Sequence, residues 1–147
     1  MNSDRLKPQP RAGVEDYPLA EKHPQDLKTP SGQPFSAITL ETVLKGKVPG
    51  EDLRVTREAL EWQAQIAEAA GRNQLADNLR RAAELVPVPE EKILQIYEAL
   101  RPGRSSRTVL VDLAAELERN FGAGRCGAFL REAAEAYFGE PAGKEPE

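Results

Sequence analysis

One cysteine, one histidine, one methionine and one tryptophan in 147 residues leave little of the material from which most active sites are built. A lone Cys126 excludes an intramolecular disulfide framework, and together with His23 it cannot supply the four ligands of a structural zinc site. Cys126 falls among Phe129, Leu130 and Ala133 at helical spacing, so it reads as a buried, inert thiol packed as a small hydrophobe. No run approaches the roughly 18 apolar residues that a spanning helix needs. Met1 to Gly13 has no apolar stretch of the secretory kind, so the expected compartment is the cytoplasm. Lysine- and arginine-rich blocks are missing and the net charge is −4, which removes the electrostatic basis for nucleic-acid binding. Alternating β-branched runs are missing as well, and the expected fold class is all-α.

What the chain does have is helical punctuation. Hydrophobic residues make up 39% and charged residues 30%, the balance of one globular domain with a modest core. Six of the twelve prolines (Pro8, Pro10, Pro18, Pro24, Pro30 and Pro34) precede residue 36, so residues 1–35 read as an extended arm, disordered over its first dozen residues. Asp16 to Pro24 sets Tyr17 and Leu19 in a proline-stiffened strip suited to lying along a surface.

Residues 36–138 read as a small domain of about five helices, followed by a flexible tail from 139. Thr39 to Leu44 predicts a short helix, and Thr56 caps a longer one reaching Ala70. The next runs from Asn73 to Val86 with Leu75, Leu79, Ala82, Ala83 and Val86 on one face. Pro89 suits the first position of a helix carrying Ile93, Ile96, Tyr97 and Leu100. Ser105 or Ser106 caps a helix with Leu110, Leu113, Ala114, Leu117 and Phe121, closed by Gly122 and Gly124. The last stripe is Cys126, Phe129, Leu130, Ala133, Ala134 and Tyr137.

The search for chemistry gives no catalytic, cofactor-binding or metal site. Gly122-Ala123-Gly124 lacks the strand and the lysine of a phosphate loop and reads as an interhelical turn. The paired carboxylates Glu15-Asp16, Glu51-Asp52 and Glu90-Glu91 sit at loops or helix starts and read as dipole partners or solvated charges. His23, in Glu21-Lys22-His23-Pro24, reads as a hydrogen-bonding residue of the strip. Arg101, Arg104 and Arg107 fit either a partner's anions or a helix end with solvated loop charges. Trp62 is either an exposed interface anchor or core. Tyr17, Pro18, Leu19, His23, Trp62, Arg101 and Arg104 are therefore candidates for a subunit interface, and the chain reads as a subunit or adaptor.

Five stretches in order resemble the small subunit of adenosylcobalamin-dependent diol and glycerol dehydratases, over about residues 16–138. The first is Asp16-Tyr17-Pro18-Leu19-Ala20-Glu21-Lys22-His23-Pro24. The second is Thr39-Leu40-Glu41-Thr42-Val43-Leu44, continuing through Gly46-Lys47-Val48 to Asp52-Leu53-Arg54-Val55-Thr56. Gln63-Ala64-Gln65-Ile66-Ala67 with Ala70-Gly71-Arg72 is the third. The fourth runs from Arg81-Ala82-Ala83-Glu84-Leu85 through Pro89 and Ile93-Leu94-Gln95-Ile96-Tyr97 to Ala99-Leu100-Arg101-Pro102, with Arg104-Ser105 beyond. The last is Cys126-Gly127-Ala128-Phe129-Leu130-Arg131-Glu132-Ala133-Ala134.

The resemblance implies a dimer of heterotrimers in which this chain packs on a large catalytic subunit and carries no catalytic residue. Adenosylcobalamin would lie between the large and medium subunits, where a radical rearrangement turns a 1,2-diol or glycerol into an aldehyde and water. Some family members carry an N-terminal amphipathic helix that targets a bacterial microcompartment. Met1 to Gly13 offers only Met1 and Leu6 as large apolar residues, broken by Pro8 and Pro10, so any such association is expected through the complex. The alternative is a stand-alone helical adaptor for an unrelated protein.

Overall fold

Seven α-helices and no strand occur among residues 11–139, the residues that this computed structural model describes. The all-α expectation holds. The expectations for Met1 to Pro10 and for the tail from Glu140 lie outside the described residues. The helices are α1 (Leu19–Lys22), α2 (Leu40–Leu44), α3 (Arg57–Ala69), α4 (Asn73–Leu85), α5 (Glu90–Leu100), α6 (Arg107–Phe121) and α7 (Gly124–Phe138). The chain divides into two compact units between Ala83 and Glu84.

In the first unit, short turns precede two long helices. The strip from Asp16 to Pro24 is extended only at Tyr17 and Pro18; a 3-10 turn (Val14–Asp16) precedes it and α1 follows. Thr39 and Thr42 form a reciprocal cap for α2: Thr42 N–H donates to Thr39 Oγ1 at 3.2 Å, and Thr39 N–H to Thr42 Oγ1 at 2.9 Å. Thr56 caps α3 as expected, accepting from Ala59 N–H at 3.2 Å. The buried seam consists of Ala64 and Ala67 on α3 and Ala76 on α4, with Leu79 packed against it.

That seam corrects the stripe predicted for α4. Leu75, Ala82 and Val86 are exposed, whereas Ala76 and Ala83 are buried. Facing alanines keep the seam narrow, and the larger Leu75 turns outward. Arg80 ties α4 to α3 through Glu68 at 3.0 Å and Glu61 at 3.3 Å. Arg11 reaches the same Glu68 at 2.5 Å, and Ala12 N–H donates to Gln65 at 2.9 Å, which anchors the N-terminal segment on α3.

The second unit has the larger core. Leu110, Leu113 and Leu117 of α6 pack with Leu130 and Ala134 of α7, joined by Ile96 and Ala99 of α5. Ser106 is the cap of α6, accepting from Val109 N–H at 3.3 Å, while Ser105 Oγ donates to Ala99 O at 2.5 Å. Pro89 sits one position earlier than predicted, at the cap of α5. Gly122, at φ 62°, ends α6 in the left-handed region that glycine tolerates best. Gly124 does not close α6 but opens α7.

The predicted faces of α5 and α7 also need correcting. Tyr97, Phe129 and Tyr137 are exposed, and the buried faces are Ile96 with Ala99, and Cys126, Gly127, Leu130 and Ala134. Gly127 lies on the buried face of α7, where a Cβ would lie 2.7 Å from Glu118 Cγ and would displace that side chain. Glu118 runs past that position to pair with Arg131 at 2.9 Å. Cys126 is buried, as expected.

Ala123, at the cap of α7, has no side chain able to accept from the helix start. Glu84 supplies the missing acceptor from forty residues earlier in the chain. Its carboxylate accepts from Arg125 N–H at 3.1 Å and Cys126 N–H at 2.8 Å.

Candidate functional site

The first unit carries an open groove of about 800 Å³. Two local devices shape it. The first is the segment Leu27 to Phe35, folded back on itself: Thr29 N–H donates to Gln33 O at 2.8 Å and Phe35 N–H to Leu27 O at 2.8 Å. Asp52 fixes this reversal by accepting from Ser31 N–H at 2.9 Å and Ser31 Oγ at 2.6 Å. The carboxylate stands at a helix start, in the first turn of the 3-10 helix Gly50–Leu53, but is buried and structural, which rules out the solvated alternative. The Ser31 hydroxyl and amide hold its pKa below the usual 3.8 against the opposing effect of burial. Leu27, Phe35, Leu53 and Val55 line the groove as a result.

The second device is built on His23. Asp16 accepts from Gly13 N–H at 2.7 Å and pairs with His23 Nε2 at 2.6 Å; Asp26 pairs with His23 Nδ1 at 3.3 Å. This latch closes the 3-10 turn onto α1 and sets Val14, Tyr17 and Leu19 along the groove. The hydrogen bond to Asp16 raises the His23 pKa above 6.5, with Asp26 adding to the effect. The amide of Gly13 and the imidazole lower the Asp16 pKa below 3.8.

The sign of the pH dependence follows. The His23 contribution to stability is full below the unfolded value of 6.5 and is lost as pH rises through the raised folded value. The Asp16 contribution is present above 3.8 and is lost as pH falls through the lowered folded value. The latch is expected to be strongest between 3.8 and 6.5. Because His23 is the only imidazole, its ring resonances are unambiguous in a proton NMR titration. Its midpoint should lie above 6.5 and fall toward that value in Asp16→Asn; an unshifted wild-type midpoint would contradict the latch.

The interface candidates separate accordingly. Tyr17, Pro18 and Leu19 line the groove, Tyr17 largely exposed and Leu19 buried. His23 stands behind them as the latch. Trp62 is half-buried on α3 and does not line the groove. Arg101 and Arg104 belong to the second unit, where both reach Glu98, at 3.1 and 3.6 Å. Arg107 pairs with Glu135. The sequence search missed Phe35, Leu53, Val55 and Leu75 as groove residues, and also the cations Lys28, Arg54 and Arg72 at its edge. A usable signal was present in Leu53-Arg54-Val55, where apolar and basic residues alternate just before the cap of α3.

Among the described residues, no group of three or more histidine, cysteine or acidic side chains is placed to hold a metal ion. No helix among them is long and apolar enough to cross a membrane.

A sequence model of the family described as "Dehydratase small subunit" matches residues 12–141. Two curated proteins, from Citrobacter freundii and Salmonella typhimurium (strain LT2), are each 51% identical to this chain over 126 residues. The match covers 86% of this chain and 73% of each relative, and both relatives are named propanediol dehydratase small subunit.

Proposed function

This chain belongs to the dehydratase small-subunit family, and we propose that it is the structural subunit of a coenzyme B12-dependent diol or glycerol dehydratase, packing on the large catalytic subunit. The observation that carries the docking half of this reading is the groove. Leu53 and Tyr17 are 63% and 69% exposed along it, and Leu40 and Leu44 of α2 stand open at 76% and 77%. Apolar surface of this kind marks a face that another protein covers.

The catalytic work falls to the partners, a large and a medium subunit that join this chain in a dimer of heterotrimers. Adenosylcobalamin, bound by those partners, would supply the radical that starts conversion of the diol to aldehyde and water. This chain's residues do not fit that group. Both nitrogens of its one imidazole are engaged by Asp16 and Asp26, and its groove is lined mainly by aliphatic and aromatic side chains. What this chain does is present a shaped apolar face and hold its loops in place through Asp52 and His23. The proposed compartment is the cytoplasm, with any microcompartment association made through the complex.

The test is coexpression of the tagged chain with the large and medium subunits from the same genome. Copurification of all three is expected, with aldehyde formation from 1,2-propanediol and adenosylcobalamin that is lost when this chain is omitted. A fully active two-subunit enzyme that never retains the chain would overturn the reading and favour the adaptor.

A further inference from the structure

The charged residues that line the groove are three cations and one carboxylate. Lys28, Arg54 and Arg72 line it, and none of the three makes a side-chain hydrogen bond or ion pair within the described residues. Asp52 is the one carboxylate among the lining residues, and both its oxygens are taken by Ser31. Elsewhere in the first unit Arg80 is matched by Glu61 and Glu68 and Lys45 by Glu41, while Lys22, Lys47 and Arg57 are solvated without an ion pair among the described residues. A chain of net charge −4 thus keeps three unmatched cations around this apolar groove. Solvation suffices for any one of them, but three cations against one buried carboxylate give the groove a positive rim, the charge that complements an anionic partner.

We propose that the groove receives a segment of the partner dehydratase subunit whose large apolar side chains are flanked by carboxylates. The apolar residues would lie on Leu53, Val55 and Leu75, and the carboxylates would meet Arg54, Arg72 and Lys28. A small molecule fits less well, because the walls stand open where a ligand pocket would enclose most of its guest. The inference rests on the dehydratase reading and adds the chemistry of the contact.

The experiment measures binding of the purified full-length chain to the immobilised large–medium subunit complex across a range of salt concentrations. Three proteins are compared: wild type, the triple reversal Lys28→Glu/Arg54→Glu/Arg72→Glu, and Leu53→Ser. Circular dichroism melts establish that each is folded, and Arg54→Ala/Arg72→Ala replaces the triple reversal if that variant is not. Wild-type association should slow as salt rises. The triple reversal should lower the association rate by about tenfold at low salt and flatten its salt dependence, while Leu53→Ser speeds dissociation.

If Leu53→Ser weakens binding and the charge variants do not, the groove docks a partner but the acidic segment is wrong. If neither has an effect while wild type binds, the groove is not the docking surface, although the subunit assignment stands. Failure of the wild type to bind would remove both, and self-association through the groove would replace the partner with a second copy.

Discussion

Leu117→Ala is expected to destabilise the second unit by about 2–5 kcal/mol. Leu117 is 1% exposed on α6, and it shares its core with Leu110 and Leu130, which are equally enclosed. Removing most of the side chain forfeits its transfer free energy and leaves a cavity that the surrounding helices can only partly close. Nearby small residues offer little relief: Ala114, Ala123 and Ala134 are themselves fully buried and cannot swing into the gap. Amide hydrogen exchange across α6 and α7 is the appropriate measurement, because it reads the stability of this unit directly. A loss below about 1 kcal/mol would mean that the site collapses around alanine and that the core is far looser than its burial indicates.

The second large effect is expected from Glu84→Ala, at about 1–3 kcal/mol. Two amides in the first turn of α7 donate to this one carboxylate, and the helix has no cap of its own. Loss of the acid removes a charge-assisted acceptor and a favourable charge at the positive end of the helix dipole. Glu84→Gln should recover part of the loss, since an amide oxygen still accepts but carries no charge. Exchange at Cys126 and the following α7 amides should accelerate more in the alanine variant than in the glutamine one. Equal rates in wild type and Glu84→Ala would show that α7 does not depend on this contact.

Glu84 also shows where a sequence stops being readable. Helix caps made by neighbours are visible: Thr56 before Ala59 is legible outright, and Ser106 before Val109 is one of the two serines that the sequence offers there. A cap supplied across forty residues leaves no local pattern. Helix faces behave similarly. Periodicity located every long helix, but it ranked faces by the bulk of their residues and placed Leu75, Tyr97, Phe129 and Tyr137 inside. The buried faces include the small residues Ala76, Ala99 and Gly127, whose lack of bulk gives them little weight in a hydrophobic stripe.

The candidate site was half legible. Tyr17, Pro18 and Leu19 were singled out and do line the groove, and His23 was read as a hydrogen-bonding residue and is one. The opposite wall was not foreseen, because it depends on a tertiary tie between Ser31 and Asp52, and a carboxylate beside Glu51 looks solvated until its partner is in place.

The contrast between the α6–α7 hairpin and the anchored N-terminal segment has a kinetic consequence. The α6–α7 hairpin is closed by a two-residue turn, Gly122 and Ala123, so its pairing begins between residues close together in the chain. Its loop-closure entropy is small, and topologies dominated by such local pairing fold in microseconds to milliseconds. The ties that anchor the N-terminal segment on α3 span far greater separations: Ala12 to Gln65 and Arg11 to Glu68. Each must await a much larger loop. The hairpin is thus placed to form early, and the groove, which exists only after those distant ends have met, is a late product of folding.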